Sequence, residues 1–199
     1  MNSFAKAVSF FLGPVFVLLP IPYILVERIT HDYFYALKWT VFSYAFILAV
    51  AIFIGIGVLV GLFSNFDVSK REQRPLLFVF SAFVMFCYLA SLLILDGPKV
   101  LFLPLFAIVL GLIVIAIINR KIKASIHLTA LTSVVLFSAI VYEGYYFMLL
   151  TLIPLLAWSR VKTKEHTPLE TVTGTILGLV LTLIVYFVSK RFFMGMLYN

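Results

Sequence analysis

Three short polar stretches in an otherwise apolar chain hold the residues able to do chemistry. They read Lys70-Arg71-Glu72-Gln73-Arg74-Pro75, then Lys123-Ala124-Ser125-Ile126-His127, then Ser159-Arg160 followed by His166-Thr167-Pro168-Leu169-Glu170. Two of the chain's three histidines fall in this set. Cations, a hydroxyl and two imidazoles gathered at one membrane surface are what phosphoryl transfer without a metal needs. Fixed positive charge stabilises the oxygens of the transition state, one imidazole attacks phosphorus, and the other protonates the leaving oxygen. No carboxylate-rich or histidine-rich ligand set accompanies them, consistent with an expectation of no metal and no cofactor.

The elements that must position these residues are transmembrane helices. Of 199 residues 64% are hydrophobic and 12% charged, against about a quarter charged in a soluble domain. Such a chain cannot clothe a water-facing exterior. The expected fold is all-α, a polytopic bundle of about six or seven spans in a single integral membrane domain over residues 1–199. Seven candidate spans run Ala7 to Val26, Thr40 to Phe63, Leu76 to Leu95, Val100 to Ile118, Ile126 to Tyr142, Tyr145 to Trp158 and Val172 to Ser189. The first, broken by Pro14, Pro20 and Pro22, reads as a kinked span rather than a signal peptide. Asp96-Gly97-Pro98-Lys99 is a turn between the third and fourth. Gly57 with Gly61, and Gly174 with Gly178, place small residues one helical turn apart, where neighbouring helices can approach closely.

Because helices alternate sides, the loops 64–74, 119–125 and 159–171 share one face of the membrane. With the N-terminus, that face carries ten of the fifteen Lys and Arg residues. The net charge of +7 therefore points to lipid headgroups and phosphate, not to nucleic acid. The positive-inside rule puts that face in the cytoplasm, although basic residues kept for function would produce the same count. Cys87 lies alone in an apolar run, which excludes an intrachain disulfide.

The three clusters resemble the motifs of the type 2 phosphatidic acid phosphatase superfamily of membrane lipid phosphatases, written KxxxxxxRP, PSGH and SRxxxxxHxxxD. Ser159, Arg160, His166 and Glu170 match the spacing of the third, with Glu for Asp. The second survives as Ser125 and His127, with Ala124 and Ile126 where Pro and Gly are expected. The first keeps Arg74-Pro75, but its Lys position falls on Asp67, leaving Lys70 or Arg71 as substitutes. The motif-bearing region is 67–189. The resemblance implies that His166 is the nucleophile, Glu170 its orienting partner and His127 the general acid, with Lys70, Arg74, Ser125 and Arg160 holding phosphate. Lys123 joins the phosphate set on charge and proximity. The implied activity is metal-independent hydrolysis of lipid phosphates or isoprenoid pyrophosphates through a phosphohistidine, in a multi-pass protein of the cell (inner) membrane. The family places its site on the extracytoplasmic side in bacteria, against the raw charge count.

The same residues have plainer readings. Thr167, Pro168 and Glu170 spell a helix start, with Thr as N-cap and Glu closing a capping box. Lys70, Arg71 and Arg74 read equally as an interfacial anchor, and Lys121, Lys162 and Lys164 as surface charges. His31, with Tyr33, Phe34, Tyr35 and Trp39, belongs to an aromatic belt on the opposite face. The alternative class is a non-enzymatic membrane protein, a lipid-binding or transport component whose basic loops only meet anionic headgroups. A catalytically degenerate family member stands beside it, and oligomeric state is not legible.

Overall fold

The computed structural model of the protein describes residues 2–142 and 144–192. Those residues form an all-α bundle with no strand among them: α1 (Asn2–Phe11), α2 (Pro14–Leu18), α3 (Ile21–Thr30), α4 (Tyr33–Leu59), α5 (Arg74–Ile94), α6 (Phe102–Ile118), α7 (Ile126–Tyr142), α8 (Leu152–Lys162) and α9 (Pro168–Phe192). Short 3-10 segments cover Arg71–Gln73, Lys99–Leu101 and Gly144–Thr151.

Among the described residues, five stretches are long and apolar enough to cross a membrane: Ser3–Thr30, Tyr33–Leu59, Arg71–Ile94, Lys99–Ile118 and Pro168–Arg191. Apolar side chains on their outer faces are exposed, as Leu48, Ile52, Ile56 and Leu59 are along α4, the surface that a lipid solvent requires. The first stretch is interrupted where Gly13-Pro14 and Pro20 break the helix. The fifth expected span is α7, whose 17 residues rise about 26 Å, at the low end of spanning length. The sixth is the 3-10 segment Gly144–Thr151 followed by α8, neither long enough alone. Glu143, expected at the turn before it, lies outside the described residues.

Helix α4 begins at Tyr33 rather than Thr40 because Asp32 caps it, its Oδ1 accepting from the Tyr35 amide at 3.0 Å. Tyr33, Phe34, Tyr35 and Trp39 are thus the opening turns of a helix and not its flank.

The chain divides into two compact units, residues 1–20 with 118–199, and residues 21–117. In the second, α4 packs against α3 and α5, and α3 also meets the 3-10 turn Lys99–Leu101. A buried hydrogen bond of 2.7 Å joins Ser43 Oγ and the Tyr88 hydroxyl between α4 and α5, which satisfies both groups away from water. At the turn after α5, the left-handed residue is Asp96 (φ 48°). Gly97 is needed for space, since a Cβ there would lie 2.8 Å from Leu92 and 2.9 Å from Trp39. The Gly57 and Gly61 pair does not bring two helices together: Gly57 makes room for the Phe63 ring, and Gly61 turns the chain at φ 80° with nothing near it.

The first unit is built on the pairing of α7 with α9; α1 packs on α8 and α2 on α7. Here the second glycine pair does let helices touch. A Cβ on Gly174 would come 2.6 Å from the Ser125 carbonyl oxygen, and one on Gly178 would come 2.7 Å from that of Thr129. Hydroxyls bridge the seam at one-turn intervals. Thr129 donates to the Gly174 carbonyl at 3.1 Å, Ser133 to Gly178 at 3.1 Å, and Thr182 back to Ser133 at 3.2 Å. A cluster of Val17, Leu128, Leu131, Val135 and Leu156 fills the space beside it. The register of α7 on α9 is therefore fixed by both steric fit and hydrogen bonds, and both helices carry motif residues at their N-terminal ends.

Candidate active site

The site in the first unit is assembled from two helix starts and one helix end. Ser125 precedes α7 and its Oγ faces the Leu128 amide at 3.5 Å in capping position. Its own amide donates to the Glu170 carbonyl at 3.3 Å, which ties the beginning of α7 to the first turn of α9. His127, in the first turn of α7, is 9% exposed. The N-terminal end of a helix favours negative charge near it.

At the start of α9 both halves of the capping box are made. The Glu170 amide donates to Thr167 Oγ1 at 3.3 Å, and the Thr167 amide donates to Glu170 Oε2 at 3.1 Å. That same carboxylate oxygen lies 3.0 Å from His166 Nδ1. A carboxylate can only accept, so the proton of this bond sits on Nδ1. One Glu170 oxygen thus both caps α9 and lies within hydrogen-bond distance of His166. The His166 side chain is 2% exposed, which holds the ring in one place.

Ser159 and Arg160 close the last turn of α8. The Arg160 carbonyl accepts from the amides of Glu165 and His166 at 3.1 and 3.3 Å, so the loop between α8 and α9 folds back over the helix end. Lys123 pins that loop from the α7 side, its Nζ donating to the Glu165 carbonyl at 2.9 Å. The residue assigned to phosphate from its charge therefore also holds the chain carrying His166. Lys164, which turns this loop, has φ 60°, a conformation that costs an L-residue roughly 1–2 kcal/mol. Lys164→Gly is expected to stabilise the protein by about 1 kcal/mol, read as a rise of a few degrees in the thermal midpoint in detergent.

The structure brings together Lys123, Ser125, His127, Arg160, His166 and Glu170 within one compact unit. Lys70 and Arg74 belong to the other. There Lys70 is exposed at the start of the 3-10 turn, while Arg74 is 1% exposed and donates through Nε to the Val68 carbonyl at 3.3 Å. Among the described residues, no three His, Cys, Asp or Glu side chains cluster as metal ligands.

Two residues of the N-terminal segment, which no motif points to, touch this set. Arg160 donates from one guanidinium nitrogen to Ser9 Oγ at 2.6 Å. A Cβ added to Gly13 would lie 3.3 Å from His127 Nε2. The signal available for Ser9 was a hydroxyl within an apolar first span, since polar groups inside a membrane helix tend to face partners.

No family model matches this chain, and no curated protein or solved structure matches it either.

Proposed function

We propose that this chain is a membrane-embedded phosphatase of lipid phosphates or isoprenoid pyrophosphates, working through a phosphohistidine at His166. The observation that carries the reading is the 3.0 Å contact between His166 Nδ1 and Glu170 Oε2 just before the start of a helix. The spacing of Ser159, Arg160, His166 and Glu170, similar to the third motif of type 2 phosphatidic acid phosphatases, supports the same assignment.

In this mechanism His166 Nε2 attacks phosphorus and the bond to the leaving oxygen breaks. His127 delivers the proton that the departing alcohol or phosphate needs. His127 then takes a proton from water as the water oxygen attacks the phosphohistidine, which releases phosphate and regenerates both imidazoles. Arg160 and Lys123 balance the charge on the phosphoryl oxygens, and the amides at the starts of α7 and α9 add to that field. The reading rests on the six motif residues of the first unit. It places the protein in the cell membrane, the solvent in which its substrate resides.

A non-catalytic membrane protein is the competing reading, and the capping role of Ser125 favours it. Phosphate release separates the two. Purified protein in detergent is offered phosphatidate, lysophosphatidate and an isoprenoid pyrophosphate, with and without a chelator. Expected is release of phosphate that the chelator leaves intact, with an acid-labile phosphoenzyme trapped from labelled substrate. No release across the panel would reject the phosphatase, and release abolished by chelator would reject metal independence.

A further inference from the structure

Ala5 and Ser9 stand one turn apart on one face of α1, and Gly13 follows in the turn between α1 and α2. The first two contact the site, and the third lies close beside it. The Ser159 hydroxyl donates to the Ala5 carbonyl at 2.6 Å, and Arg160 donates to Ser9 Oγ at 2.6 Å. Gly13 faces His127 Nε2. Each partner is buried: Ala5 0%, Ser9 7%, Ser159 0% and Arg160 1% exposed. Gly13 has ordinary backbone angles, φ −71° and ψ 160°, so conformation does not call for glycine. Space does, because a Cβ would meet the Phe10 carbonyl oxygen at 3.0 Å and the His127 ring nitrogen at 3.3 Å.

We propose that the N-terminal segment is a wall of this site, with Ser9 positioning the Arg160 guanidinium for phosphate and Gly13 leaving room for the His127 imidazole. The inference rests on the phosphatase reading for its chemistry and adds a component that the three motifs lack. A guanidinium is planar, so a hydrogen bond that fixes one of its nitrogens sets the plane in which the others present their N–H groups. Burying an arginine with no task beyond packing is costly, and an apolar residue of similar size would fill the same volume. Ser9 is a positioning residue, since it acts through Arg160.

Ser9 and Gly13 have opposite kinetic signatures, which general loosening of α1 would not produce. Ser9→Cys keeps the size and weakens the acceptor. It is expected to raise the KM for phosphatidate and the Kd for orthovanadate about tenfold, the scale of a hydrogen bond to a charged group, with a smaller change in kcat. Ser9→Thr, which keeps the hydroxyl, restores both to within about threefold. Gly13→Ala presses on the general acid, so kcat falls about tenfold or more while the orthovanadate Kd stays put. In an Arg160→Lys background, Ser9→Cys should add little.

A Ser9→Cys protein with unchanged orthovanadate affinity, or one whose loss is undiminished in the Arg160→Lys background, overturns the proposal. So does a Gly13→Ala protein whose loss lies in affinity and not in turnover. Wild-type protein that binds orthovanadate but releases no phosphate removes the hydrolase reading, while the pairing of Ser9 with Arg160 is still decided by the binding data. Wild-type protein that binds no orthovanadate overturns both.

Discussion

Replacing His166 with Ala is expected to lower kcat for phosphatidate by roughly 10⁴-fold or more, the scale seen when a covalent nucleophile is removed. Its phosphoenzyme should vanish with it. The side chain is nearly fully buried and bonded to Glu170, so loss of activity alone could reflect a disturbed loop. Glu170→Gln separates the causes. A Gln closes a capping box as well as a Glu does, so the start of α9 and the thermal midpoint should hold. The amide, however, can donate as well as accept, and it no longer fixes the proton on His166 Nδ1. If Glu170 only caps the helix, Glu170→Gln keeps its activity. If it also sets the tautomer, turnover falls by about 10²–10⁴-fold at unchanged stability, the penalty known for the wrong tautomer in another His-carboxylate pair. Midpoint and kcat measured on one preparation decide between them, and full activity in Glu170→Gln would sink the assigned role.

The two readings of Glu170 also mark what the sequence could tell. The pattern Thr167-Pro168-Leu169-Glu170 spelled a helix start, and the resemblance implied a carboxylate contact to His166. Both are made with the same Oε2, because a residue three positions into a helix points back at its cap and at whatever precedes it. Local chemistry of this kind is legible from spacing. The all-α class was legible for an equally local reason, since in lipid only helices or closed barrels satisfy the backbone, and unbroken apolar runs of about twenty residues fit helices.

What depends on packing was not legible. Ser9 lies more than a hundred residues from Arg160 in the chain, and nothing in α1 alone distinguishes a hydroxyl that meets a guanidinium from one that bonds its own helix. The two glycine pairs look alike in sequence. Only one lies at a helix contact; at the other, Phe63 folds back on Gly57 after the turn at Gly61. The make-up of the short sixth segment was not legible either, because hydropathy does not distinguish the 3-10 winding of Gly144–Thr151 from an α-helix. Lys123 was chosen for its charge, and its hydrogen bond to the Glu165 carbonyl depends on how the α8–α9 loop folds.

The second large effect expected is structural, from the α7–α9 seam. Gly174→Ala adds one methyl, yet its nearest neighbour would be the Ser125 carbonyl oxygen at 2.6 Å and the next the Leu128 Cβ at 3.2 Å. Neither is the free end of a flexible side chain, so relief requires the helices to part. Overpacking of this kind costs about 1–3 kcal/mol, and Gly178→Ala, facing Thr132 Cβ at 2.6 Å and the Thr129 carbonyl at 2.7 Å, should cost as much. Gly55→Ala is the control, since its new methyl meets only a Phe66 ring carbon at 3.9 Å and a glycine-to-alanine change inside a helix is worth up to about 1 kcal/mol in its favour. The thermal midpoint should therefore fall for the seam variants and hold or rise for the control. Gly174 carries a further consequence that Gly178 does not. It presses on Ser125, whose amide joins α7 to the Glu170 carbonyl, so parting the helices there moves His127 away from His166. Under the phosphatase reading, Gly174→Ala loses more activity than Gly178→Ala at equal loss of stability, and equal losses of both would show that the seam holds the fold without setting the distance between the two imidazoles.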